Sequence, residues 1–138
     1  MNAYTFDEIP IGHKESFSKN ITKEDIYAFL SITGDTNPLH TDESFAQQSG
    51  FQEKVVYGML SASLLSTLAG VYLPGKYSLI LSVKTDFLKP VFANDTLLVE
   101  GTVAQKKEFG NIIELAVLMT NQKQEKVLRG TMIIKVLK

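Results

Sequence analysis

The sequence predicts a single α+β domain in which one enclosed helix lies against an antiparallel sheet. Two patterns predict it: apolar residues recur at helical spacing in the first half of the chain, and they alternate with a period of two in the second half. The length of 138 residues suits one domain, because a division would leave two marginal cores. We therefore expect one fold and one site over residues 1–138.

The first predicted element is a short helix followed by a loop. Thr22 and Asp25 form a capping pattern, and the apolar residues after them predict a helix over Lys23–Ser31. The segment Thr33–His40 is rich in turn formers, and Pro38 disfavours helical geometry at the residue before it. We predict that this segment is a loop.

A second short helix and then a long apolar helix follow. Asp42 can cap a helix that runs through Ala46. The residues of Gly58–Gly70 are apolar or small on every side, and a helix of that composition is normally enclosed by the fold. We expect it to be a central buried helix that ends before Leu73–Gly75.

Four strands are predicted after this helix. Apolar residues alternate with polar ones over Leu79–Phe87, as on a half-buried strand. Three more segments separated by turn formers predict antiparallel strands, at Leu97–Lys106, Asn111–Asn121 and Lys126–Leu137. A small sheet leaves edge strands that often pair with a second copy, so we expect a homodimer.

The composition excludes several classes of function. The net charge is −1 with acids and bases interspersed, which leaves no basic stripe for nucleic acid. The chain has no cysteine, which removes thiolate chemistry and suits a reducing cytoplasm. The start of the chain has no signal-peptide pattern, and the longest apolar stretch is too short for a bilayer. We expect a cytoplasmic protein with neither a membrane nor a nucleic-acid partner.

Asp35 and His40 are the first candidate functional residues. They stand five positions apart, with Asn37 and Pro38 between them, and such a loop can bring two proton-transfer groups to one reacting atom. The alternative is that Asp35 and Asn37 only bond back to the amides of their own turn. A metal site is disfavoured, because no second imidazole or thiolate stands at metal-ligand spacing.

The start of the apolar helix is the second candidate. Gly58 follows Tyr57 there, and the free amides at a helix start can receive an oxyanion. The alternative is that Gly58 only permits close packing. Ser66 could face a ligand, although a serine on a buried helix more often bonds a carbonyl one turn back.

Several blocks of the chain form an ordered series: Gly34–Asp42, Phe45–Ala46, Tyr57–Leu60, Ala62–Leu64, Phe87–Val91 and Asn94–Thr96. This series closely resembles the MaoC-like (R)-specific enoyl-CoA hydratase family and covers nearly the whole chain. The resemblance implies one hot-dog domain over residues 1–138, in which a curled antiparallel sheet wraps a long central helix, usually as a homodimer.

The resemblance also implies an activity. It implies that an acyl-CoA thioester, trans-2-enoyl-CoA, is hydrated to (R)-3-hydroxyacyl-CoA with no metal or organic cofactor. It implies that Asp35 and His40 bind the water between them, and we interpret His40 as the base and Asp35 as the donor of the C2 proton. By the same resemblance the Gly58 amide meets the thioester oxygen, Asn37 braces the loop and Ser66 lines the pocket.

One residue departs from the family pattern, and several activities stay open. Family members commonly carry His where this chain has Tyr57, and we predict that Tyr57 donates its hydroxyl to the pocket. Fold alone does not select a reaction. The alternatives are a 3-hydroxyacyl-thioester dehydratase acting on acyl carrier protein, an acyl-CoA thioesterase and a non-catalytic acyl-CoA-binding module.

Overall fold

A computed structural model describes all 138 residues of the chain. Five strands form one antiparallel sheet in the order β1-β3-β4-β5-β2. The strands are β1 Lys14–Asn20, β2 Ser78–Phe87, β3 Thr96–Lys107, β4 Ile112–Thr120 and β5 Lys126–Val136. The helices are α1 Lys23–Thr33, α2 Pro38–Thr41, α3 Glu43–Gln48 and α4 Gly58–Thr67. The predicted α+β class and the hot-dog arrangement are confirmed.

Helix α1 begins and ends at the residues that set its geometry. The side chain of Thr22 accepts a hydrogen bond from the Asp25 amide, while the Asp25 carboxylate accepts one from the Thr22 amide. The helix ends at Gly34, whose φ of 68° is left-handed and whose amide donates to the Leu30 carbonyl. This turn directs the chain toward Asp35.

The predicted loop over Thr33–His40 is partly wrong, because Pro38–Thr41 forms the one-turn helix α2. Proline lacks an amide hydrogen and is therefore tolerated at the first helical position. The Asn37 side chain caps the turn by accepting from the Leu39 amide. Helix α3 follows at once, with the Asp42 side chain accepting from the Phe45 amide as predicted.

Strand β1 is absent from the sequence prediction. Its sequence, Lys-Glu-Ser-Phe-Ser-Lys-Asn, contains Phe17 as its only large apolar residue, so no apolar alternation marks it. The strand forms because it pairs with β3 over its full length, from Lys14 opposite Thr102 to Asn20 opposite Thr96. Tertiary pairing therefore determines this strand more than its own propensity does.

Helix α4 packs on the sheet through one face only. Leu65 is buried, and the chain continues from α4 into a π-helical turn whose Leu68 and Ala69 are also buried. Gly101 of β3 permits this contact, because a Cβ there would lie 2.8 Å from Leu68 Cδ2. The prediction that the helix is fully enclosed is wrong for the single chain, in which Met59 is 65% exposed.

Strands β1 and β2 are the two edges of the sheet. Strand β2 lies next to the exposed face of α4. Large apolar side chains on β2 are exposed, among them Leu79, Leu81 and Val83 at 46–52%. None of the helices is both long enough and apolar enough to cross a membrane.

Candidate active site

A cleft of about 710 Å³ lies between the start of α4, the α1–α2 connection and the end of β2. Both proton-transfer candidates, Asp35 and His40, line it together with Gly58. Its other walls are contributed by Phe29, Thr33, Tyr57, Met59, Ala62, Ser63, Val83, Thr85 and Phe87. The structure therefore brings the two separate sequence candidates, the loop pair and the helix start, into one site.

Asp35 is held by the turn that precedes α2. Its Oδ1 accepts a hydrogen bond of 3.1 Å from the Asn37 amide, and its own amide donates to Thr33 Oγ1 at 3.3 Å. The turn-forming role considered for Asp35 is therefore real. It does not exclude a chemical role, since the exposed carboxylate retains a second oxygen for a ligand in the cleft.

The ring of His40 is fixed by a backbone carbonyl. Its Nδ1 lies 2.7 Å from the carbonyl oxygen of Val55. Because a carbonyl can only accept, Nδ1 carries the proton of the neutral ring and Nε2 is left as an unprotonated acceptor. Val55 is itself held, since its amide donates to the Leu39 carbonyl and the residue bridges Phe92. This arrangement leaves Nε2 chemically able to accept a proton, as the predicted general-base role requires.

Tyr57 connects the two candidates. Its hydroxyl donates to the backbone carbonyl of Asp35 at 2.7 Å, and its ring centroid lies 4.2 Å from that of His40. Only 2% of Tyr57 is exposed. Burial, and then the charge of the Asp35 carboxylate, raise the pKa of Tyr57 above its usual value. The hydroxyl therefore stays protonated and continues to donate.

The start of α4 presents amides to the cleft. No side chain caps this helix, and its first amide hydrogen bond is made by Leu60, to the Tyr57 carbonyl. The amides of Gly58 and Met59 thus precede the bonded turn, at the positive end of the helix. Gly58 also permits close packing, because a Cβ there would lie 3.0 Å from Phe87 Cε1. Both alternatives considered for Gly58 are compatible with the structure.

Two predicted site residues lie outside the cleft of the single chain. Asn37 uses its side chain to cap α2, which is the bracing role expected of it. Ser66 is exposed on the face of α4 that also carries Met59 and Ser63, about one turn beyond the cleft. The substrate contacts of Asn37, Tyr57, Gly58 and Ser66 stay predictions.

Sequence reasoning missed several residues that form this site. Val55 acts through its backbone carbonyl, which any residue type carries, so no sequence signal could identify it. Phe87 was recognised only as part of a strand and motif, although its ring covers Gly58. Ser61 is 3% exposed with a side-chain oxygen that has no partner, and a helix apolar on every side gives no hint of which serine is buried.

Known proteins resemble this chain in sequence and in fold. The model of the MaoC-like domain family matches residues 8–125. An (R)-specific enoyl-CoA hydratase of Aeromonas caviae is 35% identical over 92% of this chain and 95% of its own length. A second, from Rhodospirillum rubrum, is 37% identical over 74% of each chain.

A solved structure supports the same grouping. The unliganded R-hydratase PhaJ1 from Pseudomonas aeruginosa superimposes with a TM-score of 0.89 and 31% identity, over 96% of this chain and 84% of that one. The family model covers all the residues that line the cleft, and the Aeromonas caviae relative extends over most of the fold. This chain belongs to the MaoC-like domain family.

Proposed function

We propose that the chain is an (R)-specific enoyl-CoA hydratase, a hydro-lyase that converts trans-2-enoyl-CoA and water to (R)-3-hydroxyacyl-CoA. One observation carries the proposal: the Val55 carbonyl holds Nδ1 of His40 in the cleft that also contains Asp35 and the uncapped start of α4, which supports a role for His40 as a base. Relatives named for this activity match 92% and 74% of the chain. They support the choice of this reaction over other thioester chemistry.

The first step is the attack of water on C3. A water molecule between His40 Nε2 and the Asp35 carboxyl group gives one proton to the imidazole while its oxygen forms the bond to C3. The π electrons of the double bond then move toward C1, and negative charge develops on the thioester oxygen. The amides at the start of α4, that of Gly58 first, are placed to stabilise this charge.

The second step returns a proton to C2. The proton that His40 took from the water passes to the Asp35 carboxylate, and Asp35 donates it to C2, so that the enolate becomes the saturated thioester. This transfer returns both side chains to their starting protonation states. Because both groups line one cleft, the water oxygen and the proton add to the same face of the double bond.

We further propose that the active form is a homodimer joined through β2. The exposed apolar side chains of β2 lie beside the exposed face of α4, which carries Met59, Ser63 and Ser66. An antiparallel pairing of two β2 strands would satisfy their free backbone groups and cover this apolar surface. The same pairing would enclose Ser66 next to the cleft, which supports its predicted place in the pocket.

The thioester carrier and the location complete the proposal. Coenzyme A is the carrier in the names of the two relatives described above, and we assign it here. Catalysts accelerate a reaction in both directions, so dehydration of (R)-3-hydroxybutyryl-CoA is followed as a gain of enoyl absorbance. A crotonyl thioester of acyl carrier protein is assayed separately to test the carrier. We assign the whole of residues 1–138 to one catalytic domain and place the protein in the cytoplasm.

The first test is loss of enoyl absorbance when purified protein is mixed with crotonyl-CoA in water. We expect the wild type to hydrate it, and Asp35→Asn and His40→Gln each to lower kcat/KM by about 100-fold or more. Asp7→Asn and His13→Gln are matched controls, because both residues lie outside the cleft. They are expected to keep wild-type activity.

Other outcomes separate the alternatives. Release of free thiol from a saturated acyl-CoA, without hydration of crotonyl-CoA, would indicate a thioesterase. Binding of the thioester without either reaction would indicate a non-catalytic module. Turnover only of the acyl carrier protein thioester would keep the chemistry and overturn the assigned carrier.

A further inference from the structure

A second cavity, of about 280 Å³, adjoins the cleft and shares His40, Gly58 and Phe87 with it. The adjoining cavity therefore opens at the groups that the proposed mechanism assigns to the water and to the thioester oxygen. Its floor consists of side chains that are almost fully buried, namely Val56, Val91, Val127 and Leu128. An acyl chain that passes the reacting atoms would meet this apolar floor.

Among the side chains that line the adjoining cavity, one buried hydroxyl has no hydrogen-bond partner. Lys89 at its rim is paired with Glu125, and Nδ1 of His40 is bonded to the Val55 carbonyl. Ser61 also lines the cavity, is 3% exposed, and has an Oγ with no hydrogen-bond partner. A buried hydroxyl without a partner is costly and uncommon in folded proteins.

We propose that the adjoining cavity is a subsite for acyl chains that carry a neutral oxygen, as a keto or hydroxyl group, beyond C3. The Ser61 hydroxyl would donate to or accept from that oxygen, while the apolar floor contacts the methylene groups. A carboxylate is disfavoured, since the lysine at the rim already has an anionic partner. The inference rests on the proposed hydratase function, because Gly58 locates the thioester.

The helix geometry sets the position of this oxygen. Ser61 follows Gly58 by three residues, which is a rise of about 4.5 Å along α4. A substrate with its thioester oxygen at Gly58 and its C3 at His40 would therefore bring the atoms just beyond C3 near Ser61. The oxygen-bearing carbon of the acyl chain is therefore expected at C4 or C5.

The test compares two saturated thioesters that cannot be hydrated, hexanoyl-CoA and 5-oxohexanoyl-CoA, by calorimetric titration. We expect the wild type to bind the keto compound about 10-fold more tightly. The preference should disappear in Ser61→Ala. Ser61→Thr and Ser61→Val form a pair matched in shape, and only the threonine variant should keep the preference.

Each result bears on the inference. Equal affinity of the wild type for the two thioesters, no binding of either, or a preference that persists in Ser61→Ala and Ser61→Val, would overturn it. Hydration of crotonyl-CoA is measured separately on the same preparations. Absence of hydration with an intact keto preference would contradict the proposed reaction while leaving the subsite in place.

Discussion

The two edges of the sheet differ in chemistry although both leave backbone groups unpaired. On β1 the exposed positions are Lys14, Ser16, Ser18 and Asn20, all of them polar or charged. On β2 they include Leu79, Leu81 and Val83, which are apolar. Charged and polar edges resist the approach of another strand, while apolar edges favour it.

This difference divides the molecule into a closed side and an open side. The closed side is β1 with the cap of α1, and the open side is β2 with the exposed face of α4 and the cleft. The candidate active site lies on the open side, where side chains that the single chain leaves uncovered surround Asp35 and His40. The β2 edge is thus the surface on which the proposed homodimer depends.

The largest expected effect comes from placing a charge in the centre of the open edge. Leu81→Lys would bury an unpaired ammonium group from each copy, at a cost of about 3 kcal/mol or more. The dimer dissociation constant should rise by about 100-fold or more, with a parallel loss of activity at low protein concentration. Light scattering with the crotonyl-CoA assay measures both.

Ser18→Lys makes the matched change on the closed edge, where Ser18 is exposed. It should leave both the mass and the activity unchanged. If Leu81→Lys kept the mass and activity of the wild type, β2 would not be the joining edge.

A closed-side substitution should affect folding alone. Phe17 of β1 stacks on Tyr72 with ring centroids 4.9 Å apart and an interplanar angle of 5°. Since Phe17 is only half-buried, Phe17→Ala should lower the free energy of unfolding by about 2 kcal/mol, below the cost at a fully buried site. Urea denaturation at fixed protein concentration measures it. Loss of dimer or of kcat in the folded variant would contradict the separation of the two sides.

The sequence identifies some elements and site residues but not others, and the difference has a physical reason. Elements marked by their own residues were found, as with the Thr22 cap of α1 and the strand β2, although the predicted half-buried face of β2 is exposed in the single chain. Strand β1 was missed because pairing with β3, rather than its polar sequence, defines it. Of the site, Asp35 and His40 were identified because the motif lies in one segment. The Val55 carbonyl and the Ser61 hydroxyl acquire their places only through folding.

A substitution at Tyr57 tests how Asp35 is held on the open side. Tyr57→Phe keeps the ring beside His40 and removes the hydrogen bond to the Asp35 carbonyl. If the hydroxyl positions Asp35, kcat should fall about 10-fold, equivalent to about 1.4 kcal/mol, with little change in KM. Tyr27→Phe, at a tyrosine that is 60% exposed, is the control. A rise in KM alone would instead support the substrate contact that the sequence predicts.

The smallest expected effect is at the ion pair of Lys19 and Asp25, which links β1 to the start of α1 on the closed side. The Thr22 amide, and then Lys19 of β1, lower the pKa of Asp25, which Lys19 approaches to 2.9 Å. A lowered pKa means that the stabilisation is present above the unfolded-state value and is lost as the pH falls through the folded-state value. Because Asp25 is partly exposed, Asp25→Asn should cost about 0.5 to 1 kcal/mol at neutral pH.

The pH dependence of the unfolding free energy distinguishes this ion pair from a simple packing contact. The difference in unfolding free energy between wild type and Asp25→Asn should shrink toward zero in acid, because the wild-type carboxylate is then protonated as well. Denaturation curves at a series of pH values measure it, and Asp7→Asn, at an exposed aspartate, is the control. A difference that stays constant down to the lowest pH would mean that the charge of Asp25 contributes nothing. The closed side would then be held by strand pairing and packing alone.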